Sequence, residues 1–89
     1  MRERYFLGKG IVNYILTVGD NMDGVYISRI SKYTKMTYAH TFKITKYLTC
    51  LGIIRTSKKG IVRKVELTEK GLKIYNLLSE IFSISDNIS

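Results

Sequence analysis

Between Thr37 and Ile84 the apolar residues change their period twice. At about 100° per residue, Thr41, Ile44, Thr45, Leu48 and Leu51 group on one side of a helix running from Thr37 to Leu51. The runs Ile53 to Thr56 and Ile61 to Leu67 are then β-rich and are parted by "SKKG", which reads as a hairpin. Ile61, Arg63, Val65 and Leu67 would share one face of its second arm, and Val62, Lys64 and Glu66 the other. Helical spacing returns afterwards. Leu72, Ile74, Tyr75, Leu77, Leu78, Ile81, Phe82 and Ile84 cover more than half of the last helix. A helix, a hairpin and a helix in so short a stretch leave few architectures open.

Upstream, Ile11, Tyr14, Ile15 and Val18 follow i, i+3, i+4, i+7 spacing and predict an amphipathic helix, with Gly19 at its C′ position. "GDNMDG" is a loop of turn formers. "VYI" is a short strand or an extended lead-in. Ser28 is read as the cap of a helix to Tyr33 that turns Ile30 and Tyr33 inward, and "TKMT" breaks it. Thr37 suits the N-cap of the next helix, Gly52 its end, and Thr68 with Glu69 the start of the last. Gly71 would let that last helix lie close to a neighbour, and "SDNIS" should fray. The order is helix, short strand, helix, helix, hairpin, helix. The fold class is α+β and mostly helical, a winged helix-turn-helix with a three-helix core, a β-hairpin wing and a C-terminal dimerisation helix. Its 89 residues are read as one domain, 1–89, with the motif at 25–67 and the last helix at about 68–84.

Charge narrows the function. The net charge is +8, but residues 24 to 65 hold ten basic side chains and no acid. A block of one sign points to a polyanion, with nucleic acid ahead of an anionic membrane surface; the alternative is a solvated basic face without a partner. No apolar run approaches the roughly 20 residues of a membrane span, and "MRERYFLGKG" lacks the h-region and cleavage site of a signal peptide. One cysteine, Cys50, excludes an internal disulfide, and one Cys with one His cannot form the usual zinc sites. These features predict an intracellular, cytoplasmic protein without metal or cofactor. There is no glycine-rich phosphate loop, no carboxylate pair in a polar setting and no partner for the single His, so an enzyme is not expected.

On the Thr37–Leu51 helix, Ala39, Phe42, Lys43, Lys46 and Cys50 form the outer face, flanked by Tyr38 and Tyr47, with His40 nearer the core edge. Lys43 and Lys46 can neutralise phosphates or donate to guanine, and Ala39 and Phe42 can touch a thymine methyl. Phe42 could equally pack on a neighbouring helix or the hairpin. Thr37, Tyr38 and His40 sit near the end that would enter a groove. The wing, 55–64, contributes Arg55, Lys58, Lys59, Arg63 and Lys64, and the preceding helix region contributes Arg29, Lys32 and Lys35 for phosphates.

"YLTCLGII" (Tyr47 to Ile54) and "ELTEKG" (Glu66 to Gly71) carry a family resemblance. The first looks like the join from recognition helix to wing, and the second like the entry to the last helix, of MarR-like winged-helix regulators and small archaeal or archaeal-virus regulators. The resemblance covers roughly residues 25 to 75. It implies sequence-specific double-stranded DNA binding, as a two-fold dimer, with Thr37, Tyr38, His40, Phe42, Lys43 and Lys46 on the recognition helix and Lys58, Lys59 and Arg63 on the wing. Two departures stand out: "TKMT" lacks the glycine often found in the turn, and the wing lacks the aspartate many MarR-like proteins carry near its tip.

The last helix has more apolar surface than one core needs. We therefore expect a homodimer through it and the N-terminal helix, with Tyr5, Phe6, Leu7, Tyr75, Leu78 and Phe82 at the interface. The expected function is transcriptional regulation, with repression as its mode. The alternatives are an architectural or genome-segregation DNA binder with little base readout, and a protein-interaction winged helix on which the basic face is incidental.

Overall fold

The computed structural model describes residues 8–88, with side chains described to residue 83 except that of Lys59. The elements follow the expected order: α1 (Lys9–Gly19), β1 (Val25–Tyr26), α2 (Ile27–Thr34), α3 (Tyr38–Cys50), β2 (Ile54–Lys59), β3 (Val62–Leu67) and α4 (Glu69–Ile88). The strands form one antiparallel sheet in the order β1-β3-β2, so "VYI" is a strand lead-in that pairs Val25 with Val65 and Tyr26 with Lys64.

The core explains why these segments are helical. Ile11, Tyr14, Ile15 and Val18 of α1 meet Ile27 and Ile30 of α2, Ile44 and Leu48 of α3, and Val25, Ile53, Ile54 and Val65 from the sheet side. Thr41 and Thr45 are buried as well. Their hydroxyls are satisfied within the helix: Thr41, Thr45 and Thr49 donate to the carbonyls of Thr37, Thr41 and Thr45 at 2.8, 2.9 and 2.7 Å. This turn-to-turn ladder removes the cost of burying a polar group. Because the Thr45 hydroxyl donates to Thr41, it accepts from the Tyr14 hydroxyl, 2.5 Å away.

Burial pushes the Tyr14 hydroxyl well above its ordinary titration range, and the Thr45 hydrogen bond opposes this by less. The folded protein therefore keeps a proton that the unfolded chain releases near pH 10. Fewer protons are bound in the unfolded state, so stability falls as pH rises above about 10, by at most about 1.4 kcal/mol per pH unit from this group. Tyr14→Phe should cost about 1 kcal/mol at neutral pH. Its stability should then decline less steeply above pH 10, as read by chemical denaturation at a series of pH values.

Four local expectations are corrected. Gly19 is the last residue of α1, ahead of a right-handed cap at Asp20, and not a left-handed C′ residue. It is small because the Tyr75 ring occupies the space a Cβ would need, and the Tyr75 hydroxyl donates to Asp20 at 2.6 Å. The cap of α2 is Tyr26, not Ser28. Starting the helix at Ile27 turns Ile27 and Ile30 inward and leaves Tyr33 59% exposed. Leu51 is exposed, because α3 ends at Cys50 and the chain turns away through Gly52 (φ +75°). The hairpin turn is Gly60–Ile61, since β2 continues through Ser57, Lys58 and Lys59, and Lys59 pairs with Val62. Gly60 supplies the positive φ of +63° that such a short turn requires.

The glycine missing from "TKMT" is replaced in an unexpected way. Lys35 adopts the left-handed conformation (φ +59°) and caps α2, its N–H reaching the Lys32 carbonyl at 3.3 Å. For a residue with a Cβ this geometry costs about 1 kcal/mol. Lys35→Gly should therefore raise the unfolding free energy by up to about 1 kcal/mol, read from the denaturant midpoint.

Candidate nucleic-acid interface

α3 is fixed at both ends. Thr37 caps it, its hydroxyl accepting from the His40 N–H at 3.1 Å, so replacing Thr37 with alanine should cost about 1 kcal/mol. At the other end the Lys70 ammonium donates to the Leu51 carbonyl at 2.9 Å. With Thr41, Ile44, Thr45 and Leu48 buried, the helix presents Tyr38, Ala39, Lys43, Lys46 and Cys50 to solvent.

Phe42 is half-buried against the core. Its ring stacks with Tyr38 (centroids 6.4 Å apart, planes 11° off parallel), and the Lys46 ammonium stands 5.4 Å from its centroid. Arg63, from the wing, brings its guanidinium to 5.9 Å from the same centroid. Helix and wing cations therefore meet on one aromatic ring. His40 is set apart: it is exposed, and a Cβ on Gly10 of α1 would lie 3.8 Å from its Nε2.

The hairpin register divides the wing cations between two faces. Residues directly opposite share a face, so Lys58 and Arg63 lie on the side of Val65 and Thr56, towards α3. Arg55, Ser57, Lys64 and Glu66 lie on the other. There Arg55 donates to the Glu66 carboxylate at 3.3 Å, in an exposed pair of small energetic weight. The stem of Lys64 lies over Gly24 (φ +103°), where no Cβ would fit. Lys58 and Arg63 are like charges directly opposite each other, an arrangement that weakens a hairpin unless an anion sits between or above them.

Arg29 and Lys32 of α2 and Lys35, which caps it, are all exposed, and Arg29 stands 6.0 Å from the Tyr33 centroid. Two further residues carry no mark of a site in the sequence. Tyr26 and Tyr38, with Ile61, Val62 and Arg63, line a cleft of about 130 Å³ between the start of α3 and the wing. Ile61, in the turn, is 98% exposed. Tyr26 and Ile61 escape a reading of the chain because a two-residue strand places the first and a two-residue turn the second.

Tyr75 and Leu78 of α4 pack against the chain's own core, while Phe82 is exposed together with Leu77 and Ile81. Tyr5, Phe6 and Leu7 lie outside the described residues. Among the described residues no group of His, Cys, Asp and Glu could hold a metal ion, and no helix is long and apolar enough to cross a membrane.

The sequence matches no family model and no curated protein. Solved structures match closely in shape. AF1382 from Archaeoglobus fulgidus superposes with a TM-score of 0.84 at 19% identity, over 96% of this chain and 97% of that one. The MarR family transcriptional regulator SPO1453 from Silicibacter pomeroyi gives 0.83 at 19% identity, over 96% of this chain and 61% of that one. A variant of MepR from Staphylococcus aureus bound to an oligodeoxyribonucleotide gives 0.82 at 16%, over 97% and 65%. This chain thus spans about three fifths of those two longer proteins. It has the winged-helix fold of MarR-type transcriptional regulators.

Proposed function

We propose that this protein is a transcriptional regulator that binds double-stranded DNA as a homodimer. In this reading α3 lies in the major groove and the wing rests on adjacent phosphates. One observation carries the proposal: Lys46 of α3 and Arg63 of the wing converge on Phe42, in a stretch of ten cations without an acid. Lys43 and Tyr38 lie on the exposed side of the same helix, where a groove would receive them. Lys58, Lys59 and the cations of α2 serve phosphates. The uncompensated Lys58–Arg63 pair then has a reason, since a phosphate can neutralise both. The MepR variant was solved with an oligodeoxyribonucleotide, and its likeness in fold supports the reading.

The dimer is proposed through α4. Leu77, Ile81 and Phe82 are 60%, 56% and 45% exposed, an apolar stripe on one helix. A second copy would bury it and set two α3 helices about one DNA turn apart, roughly 34–36 Å. Regulation would be repression by occupancy of the operator. Ile81→Glu should leave the protomer folded, because the side chain lies outside the core, and should shift the light-scattering mass from dimer to monomer at micromolar concentration.

The function is tested by selecting random duplex DNA with the purified protein at physiological salt. Recovery of a pseudo-palindromic site supports the regulator. Continuous coverage with weak sequence preference would favour an architectural role, and failure to shift any duplex at low salt would favour a protein-interaction module.

A further inference from the structure

An open cleft of about 230 Å³ separates the C-terminal half of α3 from the wing, lined by Phe42, Thr45, Lys46, Thr49, Cys50, Thr56 and Arg63. Ile54 and Val65 share the core with Ile44 and Leu48, which seats the base of the wing on α3; beyond that base the cleft leaves helix and wing unpacked, and a contact across it steadies the outer part of the wing. The wing also lacks an acid near its tip to hold an arginine: Ser57, Lys58, Lys59, Gly60, Ile61 and Val62 contain none, and Glu66, further down the arm, is paired with Arg55. Arg63 nevertheless has a partner in the Phe42 ring, 5.9 Å from its centroid and within the roughly 6 Å over which an aromatic face attracts a cation.

The geometry points to Phe42 as a positioning residue that fastens the wing to the recognition helix, using its ring in place of a carboxylate. Its half-buried base is anchored in the core and its ring plane is steadied by Tyr38. Lys46 lies on the same ring, so one side chain orders a cation from each element. A neutral ring suits this task better than an aspartate would. It holds Arg63 without cancelling its charge, leaving the guanidinium N–H groups free for phosphate or base acceptors. An acid at the same place would also repel the DNA backbone. This role rests on the DNA-binding reading for its consequence, but the Phe42–Arg63 contact is a property of the free protein.

The test has two arms. In the free protein, the Arg63 Nε–H resonance should show a ring-current shift that disappears in Phe42→Leu and persists in Phe42→Trp, with both variants checked for cooperative unfolding. On a selected duplex, Phe42→Leu should weaken binding on the order of tenfold, Phe42→Trp should restore it, and Arg63→Gln should cost much less in the Phe42→Leu background than alone. An Arg63 resonance that does not respond to Phe42→Leu overturns the assignment, as do additive effects of the two substitutions. If the unmodified protein binds no duplex, the DNA reading fails, and the resonance arm still decides whether the ring holds the wing.

Discussion

Replacing Gly71 with alanine should lower the unfolding free energy by about 3 kcal/mol, the upper end of overpacking costs. The sign is informative. In an open helix the same change stabilises by about 1 kcal/mol, since alanine is the better helix former. Here a Cβ would overlap the backbone carbonyl oxygen of Ile53, which cannot swing aside as a side chain could. That carbonyl already accepts from the N–H and the hydroxyl of Thr68, both at 3.0 Å, and the Thr68 hydroxyl also reaches the Gly52 carbonyl at 2.6 Å. Gly71 in turn donates its N–H to the Thr68 hydroxyl at 3.1 Å. One junction therefore joins the end of α3, the first strand of the wing and the start of α4. For a domain of this size the loss corresponds to a fall in melting temperature of roughly 12–24 °C. An unchanged or raised midpoint in thermal unfolding would mean that α4 does not approach β2 this closely.

The second large effect concerns binding. Replacing both Lys43 and Lys46 with alanine should weaken duplex binding about 100-fold at physiological salt, taking charge-assisted hydrogen bonds at about 1.5 kcal/mol each. It should also reduce the slope of log affinity against log salt by about two units, roughly 0.9 for each phosphate no longer neutralised. Both side chains are exposed, so the thermal midpoint should move little. Lys64→Ala is the contrasting variant. Its stem lies over Gly24 on the sheet face away from Phe42. It should change the slope by well under one unit.

The elements are legible in the sequence because periodicity reports which residues are buried. Ile11, Tyr14, Ile15 and Val18 are all in the core, as their spacing predicts. Thr41 and Thr45 face inward on α3 as their spacing predicts, despite their hydroxyls, which find acceptors one turn back. The sequence misleads where local geometry has two readings. Glycine marks both left-handed turns and close approaches; Gly52 is the first kind, Gly19 the second. The hairpin turn falls later than composition suggests, because lysines look like loop residues whereas backbone pairing carries β2 through Lys58 and Lys59 to the turn. Tyr33 reads as inward only if Ser28 caps α2; the helix begins earlier, at Ile27, and the register turns Tyr33 outward.

The candidate site is legible as a composition and not as an arrangement. The acid-free block names its cations, but only strand register separates Arg63 and Lys58 from Arg55 and Lys64. Lys46 follows Phe42 by one helical turn, a spacing visible in the chain, but Arg63 reaches the same ring from another element, and no local pattern encodes that contact.

Whether α3 and the wing together neutralise DNA phosphates is decided by the salt dependence of duplex binding. Measured with one duplex between about 50 and 200 mM monovalent salt, log affinity against log salt should have a slope of about −4 or steeper, the value for four or more neutralised phosphates. A slope near zero, or no binding even at the low-salt end, would contradict that neutralisation.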